Sequence, residues 1–162
     1  MLLSLTKKFK AFTGNFESPQ LATLRSVSLF SQIATSELRA IRGLLHRRTY
    51  LKDEIIFDEG EEAQAIYFIL SGKVVICRQG RPLDGTIAEL GPGQCFGEMA
   101  LLDNSPRMAQ VRAAEDCTLD VLFREDFLSL LQTHSQIASK LSLELARMMG
   151  KRLRQNVNSY VL

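Results

Sequence analysis

The chain has three cysteines in 162 residues, Cys77, Cys95 and Cys117, and no two form a Cys-x-x-Cys pair. An odd, scattered set argues against a disulfide framework and against a zinc site, so all three are expected to be buried as small hydrophobes. Histidine is scarcer still. His46 and His134 stand alone, each in a helix-like context without Asp, Glu or Cys at ligand spacing, which sets aside a metal enzyme. An excess of one charge is missing too, with 20 basic residues against 18 acidic ones, so nothing global draws the chain to nucleic acid. No apolar run approaches the length of a membrane span, and the first residues lack the basic lead and long apolar core of a secretion signal. No nucleophile stands beside a base, and no paired-carboxylate motif is present. The expectation is a cytoplasmic, non-enzymatic protein with no membrane span and no metal.

What is present suits one domain with a proper core and an appended helix, since 46% of the residues are apolar. Residues 1–17 place Leu2, Leu5, Phe9 and Phe12 at helical spacing among Lys7, Lys8 and Lys10, and read as an N-terminal extension. Ser18-Pro19 is a helix-start signal, predicting a helix from Pro19 to about Val27. Thr35 is placed to cap a second helix, Ser36 to about Arg47, with Leu38, Ile41, Leu44 and Leu45 on one face. From Arg48 the period changes to two: Thr49–Leu51, Glu54–Phe57, Ala65–Leu70, Lys73–Arg78, Thr86–Leu90, Met108–Ala113 and Cys117–Phe123 read as strands. Their close spacing, broken at Gly60, Gly72, Gly80–Gly85 and Gly91–Gly93, predicts a small antiparallel sandwich or barrel. After Phe123 helix returns. Phe127, Leu130 and Leu131 make a short amphipathic segment, and Ser135 is placed to cap a long helix from Gln136 to about Asn156. Its stripe of Ile137, Leu141, Leu145, Met148, Met149, Leu153 and Val157 is longer than so small a barrel can cover. That predicts a homodimer through the C-terminal helix.

One stretch asks for a specific chemistry. Phe96-Gly97-Glu98 follows the Gly91–Gly93 turn and opens Met99-Ala100-Leu101-Leu102, an apolar run long enough for a single helical turn. Such a turn offers unpaired N–H groups and a positive dipole end to an anion. Arg107 can add a two-pronged cationic grip on the same phosphate, while Glu98 can accept from a sugar hydroxyl. Among the strand residues, Val75, Ile76, Ile87 and Leu90 are candidates for an apolar wall against a purine. Replacing Arg107 by Ala is expected to cost several kcal/mol in binding with little loss of fold stability.

The stretch FGEMALLDNSPRMAQV, residues 96–111, resembles the phosphate-binding cassette of the cyclic nucleotide-binding domain family, F-G-E-[LMI]-A-L-[LMI], a short variable run, then P-R-x-A-[ST]-V. Asp58–Val74 resembles a second pattern of the same family, E-G-x-x-x-x-x-[LI]-Y-[FI]-I-x-x-G-x-V, so the likeness runs from about Leu24 to Leu153. The resemblance implies a mainly β fold, an antiparallel β-roll (a double-stranded β-helix or jelly roll) with N-terminal helices and a long C-terminal helix. It implies backbone N–H donation at Gly97 and Ala100, a ribose 2′-hydroxyl on Glu98 and a cyclic phosphate on Arg107, with Phe96, Met99, Met108, Ala109 and Gln110 completing the site. Met108 stands where members carry Ser, Thr or Ala, and Gln110 where Ser or Thr is usual. Met108 brings no hydroxyl to a guanine, which favours cAMP over cGMP.

The resulting expectation is a regulatory module with three parts: an extension (1–17), a binding β-roll with its helices (18–134), and a lid or dimerisation helix (135–162). Met149, Leu153 and Arg154 are the candidate lid residues. The signal would pass to a separate, unknown downstream protein, because only a handful of residues follow Asn156 and a DNA-reading helix-turn-helix has no room. The rival expectation is a degenerate member of the same shape that pairs chains without binding nucleotide.

Overall fold

The structure is a computed structural model that describes residues 18–103 and 105–160; the basic N-terminal extension lies outside them. Helix α1 (Pro19–Arg25) starts where its signal predicts, the Ser18 hydroxyl accepting from the Leu21 N–H. Helix α2 (Thr35–Arg42) is shorter than its periodicity suggested. Gly43 closes it by donating to the Arg39 and Ala40 carbonyls. The chain then turns at once into strand β1 (His46–Tyr50), so His46 lies on a strand rather than a helix. Thr35 is the first helical residue, and its hydroxyl accepts from Arg25 Nη2 at 2.8 Å, while Glu37 accepts the Ala34 N–H.

The remaining strands are β2 (Ile55–Phe57), β3 (Ala65–Ser71), β4 (Val74–Arg78), β5 (Arg81–Leu90), β6 (Cys95–Phe96), β7 (Gln110–Ala113) and β8 (Cys117–Phe123). Between β6 and β7 lies the one-turn helix α3 (Met99–Leu102), and α4 (Arg124–Thr133) and α5 (Ser135–Tyr160) close the chain. Strand β5 runs through the stretch read as a long turn, because Gln79-Gly80 alone reverses the chain, with Gly80 at φ 73°. The strands make two four-stranded sheets, ordered β1-β8-β3-β6 and β2-β7-β4-β5, and every pairing among them is antiparallel. Together they form the β-roll that the resemblance implied.

Strand alternation decides which core each residue joins. On β3, Ile66 and Phe68 face the helices, while Tyr67 and Ile69 face the second sheet. The helical side holds the larger cluster: Leu24, Phe30, Leu38 and Ile41 pack with Ile66, Phe68 and Leu122, and with Ile137, Leu141 and Leu145 of α5. Between the sheets lies a smaller cluster of Phe57, Ile69, Val74, Phe96, Val111 and Leu119. All three cysteines are free and buried.

The turn that delivers the chain to the candidate site is held on both sides. Gly93 donates to the Ile69 carbonyl and accepts from the Ser28 N–H. Its φ is 83°, and a Cβ there would lie 2.9 Å from the Ser26 carbonyl oxygen, so this position needs glycine.

Candidate functional site

The two-residue strand β6 pairs Phe96 with Tyr67 and Cys95 with Phe68. Sequence reading missed it because two residues carry no period. Its effect is to stack the Phe96 ring on Tyr67, with centroids 5.1 Å apart and planes 2° apart. Phe57 lies within 6 Å of both rings and completes an aromatic floor. Gly97, at φ 75°, then takes the chain out of the sheet, and α3 follows after Glu98. Leu101 is buried in the helical-side core and bolts that single turn down.

Arg107 points into the protein. Only 7% of it is exposed. Its backbone is held between the Glu61 carbonyl and the Gly60 N–H, each at 2.8 Å. Nη2 donates to the Ala65 carbonyl at 3.0 Å and Nη1 to the Gly97 carbonyl at 3.3 Å. The guanidinium carbon sits 4.0 Å from the centre of the Phe57 ring, in cation–π contact. A Cβ on Gly97 would come within 2.6 Å of Arg107 Nη1, so the glycine makes room for the cation as well as turning the chain. Burial pushes the Arg107 pKa below the ordinary arginine value, with nearby Tyr67 and Glu61 opposing it. Its Nε is buried and has no hydrogen-bond partner among the described residues. A desolvated cation with an unspent donor is costly unless an acceptor arrives.

Next to it is a cavity of about 120 Å³, walled by Phe57, Ala63, Ile76, Pro106 and Val111 and by most of the expected site. Phe96, Gly97, Glu98, Met99, Arg107, Met108 and Ala109 all line it. Ala100 belongs to α3. Met108 is 71% exposed at the rim, where its carbonyl accepts from Arg78 Nη1. Gln110 does not line the cavity. It is buried, with its amide Nε2 donating to Asp58 Oδ1 and its Oε1 accepting from Cys77 Sγ at 3.6 Å. Of the proposed purine wall, Ile76 lines the cavity and Leu90 packs against the inter-sheet core, whereas Ile87 is 56% exposed.

Glu98 is held from the C-terminal helix. Arg152 Nη1 donates to Glu98 Oε1 at 2.6 Å, and Nη2 donates to the Cys95 carbonyl at 2.6 Å. Met148, one turn earlier, places its sulfur 3.4 Å from Cys95 Sγ. Met149, Leu153 and Arg154 do not line the cavity, and Leu153 is 65% exposed. The α5 contact with the cassette thus falls on neighbours of the residues that spacing singled out. Nothing in the local sequence aims Arg152 at Glu98, which lies 54 positions earlier in the chain. Phe57 and the Ala65 carbonyl were likewise invisible as partners of Arg107. Among the described residues there is no group of three metal-ligating side chains, and no helix is long and apolar enough to cross a membrane.

A β-roll carrying an inward arginine and a glutamate around a one-turn cradle defines a class of small-anion receptor. Comparison with known proteins identifies which: the family described as "Cyclic nucleotide-binding domain" matches residues 47–134, and the chain belongs to it. The "Cyclic AMP receptor protein" of Thermus thermophilus is 40% identical over 127 residues, 76% of this chain and 58% of that protein. A "cAMP-dependent protein kinase regulatory subunit" of Debaryomyces hansenii is 32% identical over 67% of this chain and 23% of that protein. The crystal structure of a cyclic nucleotide-binding domain from Methylobacillus flagellatus superposes with a TM-score of 0.75 at 25% identity, covering 87% of this chain and 80% of that one. The chain therefore spans 58% of the first of these proteins and 23% of the second, and what it shares with them is the regulatory nucleotide-binding domain.

Proposed function

We propose that the chain is a regulatory module that binds a cyclic mononucleotide in the cavity beside Arg107, with cAMP favoured over cGMP. The observation that carries this reading is the Arg107 guanidinium, almost wholly buried, facing that cavity and with Nε lacking an acceptor. A phosphate oxygen is a stronger acceptor than the Gly97 carbonyl that Nη1 reaches at 3.3 Å, and it also neutralises the desolvated charge. The phosphate docks there and on the N–H groups that open α3, the ribose meets Glu98, and the purine lies along Ile76 and Val111 toward the rim at Met108. Met108 has no hydroxyl to offer a guanine amino group, and the names of two relatives carry cyclic AMP. Residues 18–134 form the binding unit in this reading, and residues 135–162 carry the signal.

The outer face of α5 supports pairing of two chains. Leu143 and Leu153 are 52% and 65% exposed, and Leu143, Ala146, Gly150 and Leu153 follow one another at steps of three, four and three. That is a heptad seam, and its small central residues allow close approach. The same seam favours a second reading, a module that pairs chains and binds no nucleotide. Calorimetric titration with cAMP and with cGMP separates the two. Micromolar or tighter binding of cAMP, lost in Arg107→Lys and weaker for cGMP, is expected. A melting temperature indifferent to millimolar cyclic nucleotide would leave only the pairing module, because a ligand selective for the native state must raise it.

A further inference from the structure

A second cavity, of about 220 Å³, lies where the connection between β2 and β3 meets the start of α4, and it shares only Ala63 with the cavity beside Arg107. Its polar lining is Glu62, Gln64, Arg124 and Glu125, and Phe123 and Leu128 add apolar surface. The frame is fixed. The Arg124 N–H donates to the Gln64 carbonyl at 2.8 Å, and the Phe123 ring meets the His46 ring edge to face, with centroids 5.2 Å apart. The charges on that frame are left open. Elsewhere Arg47 pairs with Asp120 at 3.0 Å and Lys140 with Glu37 at 2.7 Å. Here one guanidinium and two carboxylates line the same cavity, yet among the described residues their side chains make no ion pair and no hydrogen bond. Arg124 Nε is also buried without an acceptor among those residues. Adjacent helix positions do not face each other, so Glu125 is not placed to neutralise Arg124.

We propose that this cavity is a binding site for a small zwitterion, an α-amino acid with an apolar side chain. A carboxylate is the planar two-oxygen partner that the Arg124 fork fits. An ammonium answers Glu62 and Glu125, so one molecule meets both signs of charge at once. A simple anion would face two carboxylates, and a simple cation would face the guanidinium. Phe123 and Leu128 offer the wall for the side chain, and covering Leu128, which is 40% exposed, removes apolar surface from water. Size narrows the class further, because the volume falls below the roughly 300–1,000 Å³ of pockets that hold drug-sized ligands.

The test is calorimetric titration of the full chain with L-valine, L-leucine, L-methionine and L-phenylalanine. The best of them is then compared with its amino alcohol, which lacks the carboxylate, and its 2-oxo acid, which lacks the ammonium. The titrations contain no nucleotide, so their outcome is independent of the reading of the first cavity. At least one amino acid should bind with Kd below about 1 mM. Removing either charged group should weaken it about tenfold or more, the worth of a hydrogen bond to a charged group. Arg124→Gln and the double variant Glu62→Gln, Glu125→Gln should each cost a similar factor. Lys151→Gln removes an exposed charge that lines a different cavity, and should cost nothing. Glu62 and Glu125 are exposed, so the double variant tests the site even where the melting curve of Arg124→Gln shows that it does not fold. Absence of binding by all four amino acids overturns the proposal, as does wild-type affinity in the double variant or in folded Arg124→Gln. Equal binding of the 2-oxo acid would make this a plain anion site, and equal binding of the amino alcohol a plain cation site; either outcome overturns the zwitterion.

Discussion

The two cores of this small roll do opposite things with the same strands. On the helical side, Phe30, Phe68, Leu24, Leu38 and Ile41 are at most 1% exposed, and α5 completes a dry cluster. Between the sheets, the apolar cluster is smaller, and a guanidinium lies against its Phe57 ring. The first core stabilises by burying apolar surface, about 25 cal/mol for each Å². The second gives up part of that gain to hold a charge away from water, which disfavours the empty state and raises the value of an incoming anion. Stability and sensing are thus separated across the thickness of one sheet, and β3 serves both through its alternating faces.

The largest effect should come from breaking the first core. Phe30→Ala is expected to cost about 3–5 kcal/mol of stability, read by urea denaturation, while the folded fraction keeps its affinity for cAMP. A loss of affinity in folded Phe30→Ala would show that the cores are not separable. Arg107→Ala comes next, and here the structure changes the expectation drawn from sequence. Burial of Arg107 against Phe57, with the Ala65 and Gly97 carbonyls as partners, means that its removal also destabilises the empty protein, by about 1–3 kcal/mol. The loss of cAMP affinity should be about 3 kcal/mol, more than a hundredfold, seen by calorimetry at a temperature where the variant remains folded.

Smaller effects sharpen the role of α5. Leu143→Glu with Leu153→Glu removes apolar surface that a paired helix would bury, about 1.5–3 kcal/mol for each leucine, and should shift a dimer to monomer by light scattering. No change in mass would place the pairing elsewhere. The smallest effect is the Lys140–Glu37 tie of α5 to α2, at 2.7 Å. Its hydrogen bond with Lys140 holds the Glu37 carboxyl below the ordinary value of 4.5. The stabilisation is therefore present above that pH and is lost as pH falls through the lower folded value. It is a surface pair, worth less than about 1 kcal/mol. The acid-side fall in melting temperature should shrink slightly in Lys140→Ala, and an identical pH profile would show that the tie contributes nothing.

Much of the site was legible because it is local. A turn, a glycine, one helical turn and an arginine within 16 consecutive residues must lie near one another whatever the rest does, and Phe96–Met99 and Pro106–Ala109 line one cavity. The strands were legible for a similar reason: alternation over five to seven residues survives reading, as β8 shows at Cys117–Phe123. Shorter or unpatterned elements were not. Strand β6 exists only because β3 offers it an edge, and the Ser28–Phe30 helical turn only because Gly93 holds its first N–H. Gln110 looked like a site residue by position, yet strand alternation turns it away from Val111 and toward Asp58.

By itself, the sequence determined the family and the roll and singled out Glu98 and Arg107 as the candidate acid and base, because periodicity and short-range spacing are written in consecutive residues. Tertiary structure alone decided that Arg107 faces inward over Phe57, that Gly97 must be small to admit it, and that Arg152 of α5 grips Glu98. Those are contacts between residues 10 to 54 positions apart, set by how two sheets and a helix close on one another, and no local pattern encodes such a closure.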